Sequence, residues 1–400
     1  MSIRKLFIGS LAATLVSASA FASVFDYFEA IDEVIPDYLS ISIEEKVKYE
    51  TNIYEASRNE TSGYIFTTGL NLGWKHETSL LRYKVLGSIG FDWCKRHKDL
   101  NQAWYRINPS ILYQQGNWDL LVSASSKYEE DDVSVIDRRI ARQFAHRVEA
   151  DWNLNLTEKW GFGVNAYWSQ KEFTNKTFKN LNYDVYGISV NPFYNLTGKT
   201  KVGLRAGAKW KKFHRANISD DSRTIFANMF VDYRVSGRLT LNAFAGVKRT
   251  DFDENNNYPR IRSSRRSNVD GKIGYEYGIG GKYLLCENLI LSASLSRETE
   301  DTTMPGARSV QNDTVAKAGA AWKINPQFSV DQTFAYTWSD QENNNMDYTE
   351  LRYSLHLSYA FINKRLTVFG GYEYEDVKYD NNSDVNYDNH IFTLGARYSF

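Results

Sequence analysis

The chain ends on HIFTLGARYSF, and its side chains alternate up to the last residue. Counting back, Phe400, Tyr398, Ala396, Leu394 and Phe392 share one face, while Ser399, Arg397, Gly395 and Thr393 share the other. The same two-residue period recurs along the chain. In LLRYKVLGSIGFDW, Leu81, Tyr83, Val85, Ile89 and Phe91 oppose Arg82, Lys84, Ser88 and Asp92. In KVGLRAGAKW, Val202, Leu204, Ala206, Ala208 and Trp210 oppose Lys201, Arg205 and Lys209; in ELRYSLHLSYAF, the Leu, Tyr and Phe residues oppose Glu350, Arg352, Ser354, His356 and Ser358. These are strands with one apolar and one polar face. Soluble sandwiches alternate too, so the quality of the faces has to decide. Here the polar face carries bulky charges along its length and the apolar face ends in Tyr or Trp, the pattern of a lipid-facing band between aromatic girdles around a polar interior. A terminal strand this apolar also needs a closed edge and a covered face, because an open one pairs with other chains. The fold class that follows is all-β: a transmembrane antiparallel up-and-down barrel.

Connections are of two kinds. Short ones such as Gln115-Gly116-Asn117, Ser236-Gly237 and Asn325-Pro326-Gln327 alternate with longer polar ones such as EEDDVSVIDRR, DENNNYPRIRSSRR, SDQENNN and DNNSDVN. That asymmetry predicts tight periplasmic turns and longer external loops, one hairpin per repeat of roughly forty residues. Counting from SISIEEKVKYE gives about eighteen strands, with sixteen as the alternative, and an even number leaves both termini periplasmic. Eighteen strands at ~4.8 Å spacing and ~40° tilt enclose a backbone diameter of roughly 35 Å, too wide for side chains to fill. The lumen is expected to be wet, or plugged by part of the chain.

The start of the chain fits this compartment. Arg4 and Lys5 precede an apolar run, and Ala20-Phe21-Ala22 supplies a small-x-small cleavage pattern, so residues 1–22 read as a secretory signal peptide and the destination as the outer membrane of a Gram-negative cell. Residues 23–39 follow, with Phe25, Phe28, Ile31 and Ile35 near helical spacing among acidic residues and Pro36 ending the pattern. They read as a short periplasmic acidic helical segment or plug, ahead of a barrel over 40–400. Later in the chain no apolar run approaches the ~20 residues of a membrane helix, so only strands could cross a bilayer. Aromatics make up 15% of the residues against 6 Pro. Formal charge is zero, and removing Arg4 and Lys5 leaves two more acidic than basic residues, which predicts no nucleic-acid partner. Cys94 and Cys286 fall at opposite ends of the expected barrel and should stay unpaired.

KYETNIYEASRNETSGYIFTTGLNLGW, residues 48 to 74, resembles the opening hairpin of the bacterial beta-barrel porin 2 family: a Tyr-x-x-Asn-Ile-Tyr strand end, a polar loop, then a Tyr-x-Phe run toward a Gly-containing strand. The Pro that the family places before the glycine of the second strand is missing. Members often accompany exopolysaccharide synthesis and export systems. The resemblance therefore implies an outer-membrane conduit for a secreted glycan, served by periplasmic polysaccharide-export proteins, with no cofactor and no catalytic residues to carry over. The terminal Tyr398-Ser399-Phe400 resembles the signal read by the barrel assembly machinery.

From the residues themselves, the face opposite the lipid side includes Arg82, Lys84, Arg106, Lys127, Arg147, Glu149, Lys201, Arg205, Lys209, Arg234, Lys272, Glu276, Lys317, Arg352, Glu373 and Arg397. Basic residues lead, and rings of such charges set a pore's preference, here for an anionic or heavily hydroxylated glycan. The plainer reading is that opposite charges on neighbouring strands satisfy one another. Tyr167, Phe193, Phe230, Phe244 and Phe369 also point inward, as sugar-stacking surfaces or as space-fillers. Catalytic and metal patterns are weak. The six histidines are scattered without metal-ligand spacing, and His146 falls on the lipid-facing parity of its strand. Ser354, His356 and Ser358 read as a polar lumen face, and Gly278-Ile279-Gly280-Gly281 lacks the helix of a phosphate loop. No enzyme emerges. Three readings remain: a polysaccharide-export barrel, a porin for small, anionic oligosaccharides, and a barrel hydrolase using Ser354 or His356.

Overall fold

The structure is a computed structural model that describes residues 36, 38–55, 60–132, 140–176, 178–214, 221–252, 271–301, 310–342, 347–361, 365–380 and 385–400. The expected signal peptide and nearly all of the acidic segment that follows it lie outside the described residues. The strands are β1 (Leu39–Glu50), β2 (Gly63–Glu77), β3 (Leu81–Trp93), β4 (Gln102–Gln115), β5 (Trp118–Asp132), β6 (Ile140–Asn155), β7 (Trp160–Phe173), β8 (Tyr183–Thr197) and β9 (Thr200–Phe213). They continue as β10 (Ser222–Arg234), β11 (Leu239–Phe252), β12 (Lys272–Cys286), β13 (Leu289–Asp301), β14 (Val310–Lys323), β15 (Phe328–Glu342), β16 (Tyr348–Phe361), β17 (Leu366–Tyr379) and β18 (Tyr387–Ser399). Each pairs antiparallel with its sequence neighbours, and β1 pairs with β18 as well as with β2, which closes an 18-stranded barrel. The expected architecture and strand number both hold. The strands run further outward than expected: β5 continues through Glu129–Asp132 and β15 through Ser339–Glu342, stretches whose acidic composition reads as loop. Ladder pairing to one neighbour, β6 for the end of β5 and β14 for the end of β15, outweighs the poor strand propensity of Asp and Glu there.

Closure follows from the solvent. In hydrocarbon every backbone N–H and C=O needs an internal partner, and a barrel supplies one for each without leaving an edge. Carrying a position on β1 through the successive registers returns to β1 about 22 residues further along the chain. With eighteen strands, that stagger corresponds to a tilt near 40° and a diameter of about 36 Å.

The outward parity is apolar and exposed, as Phe66, Ile89, Ile188, Leu204, Met229, Ile279 and Leu394 show. Rings bound it: Tyr49 lies 4.8 Å from Tyr64, Trp160 4.7 Å from Tyr194, and Tyr128 4.7 Å from Phe144. Cys94 is buried at the external end and Cys286 exposed at the periplasmic end, both as free thiols.

The seam between β1 and β18 is locked at its external end. Asn52 and Asn389 are wholly buried. The Asn52 backbone N–H donates to Asn389 Oδ1 at 3.0 Å, and Asn389 Nδ2 donates to Glu50 Oε2 at 3.2 Å. Thr51 and His390 exchange two further bonds, His390 N–H to Thr51 Oγ1 at 2.9 Å and Thr51 N–H to the His390 carbonyl at 3.1 Å. Beside this latch, Ile53 packs with Cys94 and Leu100, and the Tyr54 hydroxyl meets Asp99 Oδ2 at 2.9 Å and His97 Nδ1 at 3.0 Å. The Tyr-x-x-Asn-Ile-Tyr signature of the opening hairpin thus supplies the girdle, the latch, a small apolar core and a rim contact in turn.

Two outcomes are expected. Asn389→Ala strips the Asn52 N–H and the Glu50 carboxylate of a buried partner, and urea unfolding in detergent micelles should register a loss of about 1–3 kcal/mol. Burial, with help from the Asp99 carboxylate, pushes the Tyr54 hydroxyl up to about 12. A raised value favours the neutral form in the fold, so its contribution is present below the ordinary tyrosine value of ~10 and is lost as pH rises from there through about 12. Tyrosinate absorbance of the wild type minus that of Tyr54→Phe should show this late-titrating ring.

Candidate functional site

The inner wall is where this sequence concentrates its chemistry. All the residues expected to line the pore fall on the inward parity of their strands, register by register: Arg106 opposite Lys127, Glu149 opposite Tyr167, Lys209 opposite Gly187, Arg352 opposite Glu375, Arg397 opposite Glu44. Many of them satisfy one another. Arg147 bonds Glu149 at 2.9 Å from both Nε and Nη2, and Asn165 Nδ2 bridges Glu149 at 2.7 Å to Asp151 at 2.6 Å. Arg397 grips Glu44, Arg352 sits between Glu350 and Glu375, Arg82 pairs with Glu77, and Glu129 takes both Lys127 and Arg106. Glu276 is inward but only 9% exposed, clamped at 2.8 Å by Lys248, so it braces the wall instead of facing water.

Many carboxylates are consumed in this way, although Asp232, opposite Lys201, and Asp331 have no cation within ion-pair distance among the described residues; more of the cations are left so. Among the described residues, Lys84, Lys201, Arg205, Arg234 and Lys317 have no carboxylate within ion-pair distance. Arg205 donates to the Asn191 amide oxygen at 3.2 Å, and the Lys201 ammonium rests 3.8 Å over the Phe193 ring. The wall is therefore locally basic although the chain is neutral.

Inward aromatics lie flat on the sheet, each over a glycine directly opposite on a neighbouring strand. Tyr167 faces Gly187, Phe193 faces Gly161, Phe230 faces Gly203, Phe244 faces Gly278 and Phe369 faces Gly395. A Cβ at Gly187 would come within 2.1 Å of the Tyr167 ring, and one at Gly161 within 2.0 Å of Phe193. Only glycine lets the ring settle onto the backbone. Arg147 covers Tyr167 at 4.1 Å as Lys201 covers Phe193. These rings neither stand out into the lumen nor fill it; they line it, each with one face against the wall. Trp104 over Gly90 repeats the arrangement and is a ring that the charge pattern of the sequence does not single out.

On β12–β14 the small residues leave a trough of about 350 Å³, lined by Phe244, Lys282, Ser292, Ser294, Ser296, Lys317 and Thr333 over Gly278, Gly280 and Gly319. Hydroxyls at every second position of β13 are its signature, legible in ILSASLS once serines are weighed like charges. His356 lies inward over Gly371, with Nε2 3.7 Å from Glu373, and no hydrogen bond joins it to Ser354 among the described residues. Of the pair at the chain end, Tyr398 takes the outward parity opposite Ile43, and the Phe400 N–H donates to the Ile41 carbonyl at 3.0 Å. Gly187→Val should lift Tyr167 off the wall and lower stability by about 1–3 kcal/mol, read from the midpoint of urea unfolding in micelles.

Residues 239–400 match the family described as outer membrane protein beta-barrel domain. No curated protein matches the chain. Among solved structures it is similar to OpdK of Pseudomonas aeruginosa crystallised with vanillate, at 11% identity over 90% of this chain and 99% of that one, TM-score 0.47. It is similar also to OccAB2 of Acinetobacter baumannii, at 8% identity over 90% and 97% of the two chains, TM-score 0.48. The FrpB iron transporter of Neisseria meningitidis is 8% identical, with 92% of this chain and 82% of that one covered, TM-score 0.48. The closed barrel, its exposed apolar band and the domain match over its C-terminal strands make this chain an integral β-barrel protein of the outer membrane.

Proposed function

We propose that the barrel is a channel whose inner wall guides anionic, hydroxylated cargo, and that this cargo is a polysaccharide on its way out of the cell. The observation that supports the reading is the imbalance on the wall: most inward carboxylates, Asp232 and Asp331 excepted, are held by partners, while Lys84, Lys201, Arg205, Arg234 and Lys317 keep cationic groups without a carboxylate partner among the described residues. Such groups raise the local concentration of anions inside a water-filled tube with low-dielectric walls. Rings that no cation covers, such as Phe244 in the serine- and lysine-lined trough, offer an apolar face to sugar, and the trough offers donors to hydroxyls. A glycan in transit needs many weak contacts and no deep pocket, which suits a wall of this kind. The outward direction and the polymeric cargo come from the resemblance of the opening hairpin to barrels that accompany exopolysaccharide systems, and the same resemblance brings periplasmic export proteins as partners.

Purified protein in planar bilayers should pass anions in preference to cations. Replacing Lys84, Lys201, Arg205 and Lys317 together by Glu should reverse the sign of the zero-current potential under a salt gradient. Deletion in the cell should stop glycan secretion and leave uptake of small solutes unchanged. Intact secretion with slowed entry of small anionic oligosaccharides would assign the barrel to uptake instead.

A further inference from the structure

One carboxylate is on the wrong side of the wall. Glu45 takes the outward parity of β1, between Ile43 and Val47, opposite Thr68 on β2 and Ala396 on β18. It is exposed, and its Oε2 accepts a hydrogen bond from the Thr68 hydroxyl at 2.9 Å. At ~2.5 Å of height per tilted residue it lies about 10 Å below the Tyr49 girdle, inside an apolar band ~25 Å tall. Among the described residues no other carboxylate occupies this band on the outer face. An ionisable group there is costly, and one hydroxyl does not replace its hydration.

The outer face carries other polar groups: Arg297 on β13 is taken up by the Thr314 hydroxyl at 3.1 Å, while a spot on β6 is left without such a bond. His146 on β6 takes the outward parity, opposite Ser126 on β5 and Gln170 on β7. It is half-buried, stacked 6.3 Å from Phe144, and has no hydrogen-bond partner among the described residues. The registers place it about 5 Å nearer the external side than Glu45, a gap the two side chains can span. One spot offers acceptors and the other donors. Two Glu45 spots face to face would set like charges together, so the complementary contact is head to tail, β1–β2 of one barrel against β5–β7 of the next.

We propose that the barrel assembles side by side in the membrane with copies of itself, Glu45 of one protomer bonded to His146 of its neighbour. The two spots lie five strand spacings apart, about 100° around the barrel, an angle that closes a ring of four or five copies.

The test uses the full chain in native outer-membrane vesicles, with Cys94 and Cys286 replaced by Ser. Glu45→Cys combined with His146→Cys should give a ladder of disulfide-linked oligomers on mild oxidation, while either substitution alone should give none. In otherwise wild-type protein, Glu45→Ala or His146→Ala should lower the oligomer fraction in native mass spectrometry by roughly tenfold. The exchange Glu45→His with His146→Glu should restore it. Heat-modifiable mobility reports that each variant still folds as a barrel. A monomeric wild type, a Glu45→Cys protein that links to itself, or an exchange that fails to restore the oligomer in a folded barrel would each overturn the proposal.

Discussion

The constraint on which the molecule depends is that hydrocarbon cannot hydrogen-bond a peptide group. A sheet inserted in lipid with one open edge would leave a row of bare N–H and C=O groups, each costing several kcal/mol. The chain answers by returning β18 to β1, and everything else is arranged so that this return is possible. The stagger fixes the tilt, the tilt and the strand number fix the width, and the width leaves a lumen that eighteen strands of side chains do not fill. Polar inward residues follow from a wet lumen just as apolar outward residues follow from lipid.

That logic explains why so much of the fold is legible in a single sequence. A two-residue period carries no ambiguity about which side a residue takes, so the inward parity of Arg147, Lys201 or Arg397 can be read from its neighbours once the strand is recognised. Loop lengths divide the turns into two kinds and thereby orient the barrel. Strand ends are harder. The acidic run Glu129–Asp132 has loop composition and strand structure, because ladder pairing to a neighbour is a tertiary matter that local propensity does not encode.

The details of the wall are legible only in part, for a related reason. Side-chain direction follows from parity, but partnership depends on register between strands that can lie far apart in sequence. Whether Glu276 meets water or Lys248 cannot be read from the residue alone. The flat rings are a mixed case. Phe244 reads as inward, while its resting place over Gly278 requires knowing that the two residues are opposite. The same holds for Glu45 and His146: alternation marks both as outward, and only the register and the tilt bring them to similar heights on separate faces.

The latch at the seam has a bearing on how the barrel comes to exist. Asn52 and Asn389 are separated by 337 positions, so their bond joins the end of the first strand to the last strand. Contacts of such long range form only after the intervening polymer has been gathered up. Nothing earlier in assembly can satisfy the Asn52 amide in the same manner. A cylinder missing one hairpin, or slipped by a step, would present these two asparagines to each other out of line and keep its joint ajar. Their union is therefore one that only a cylinder with every stave in place can make well.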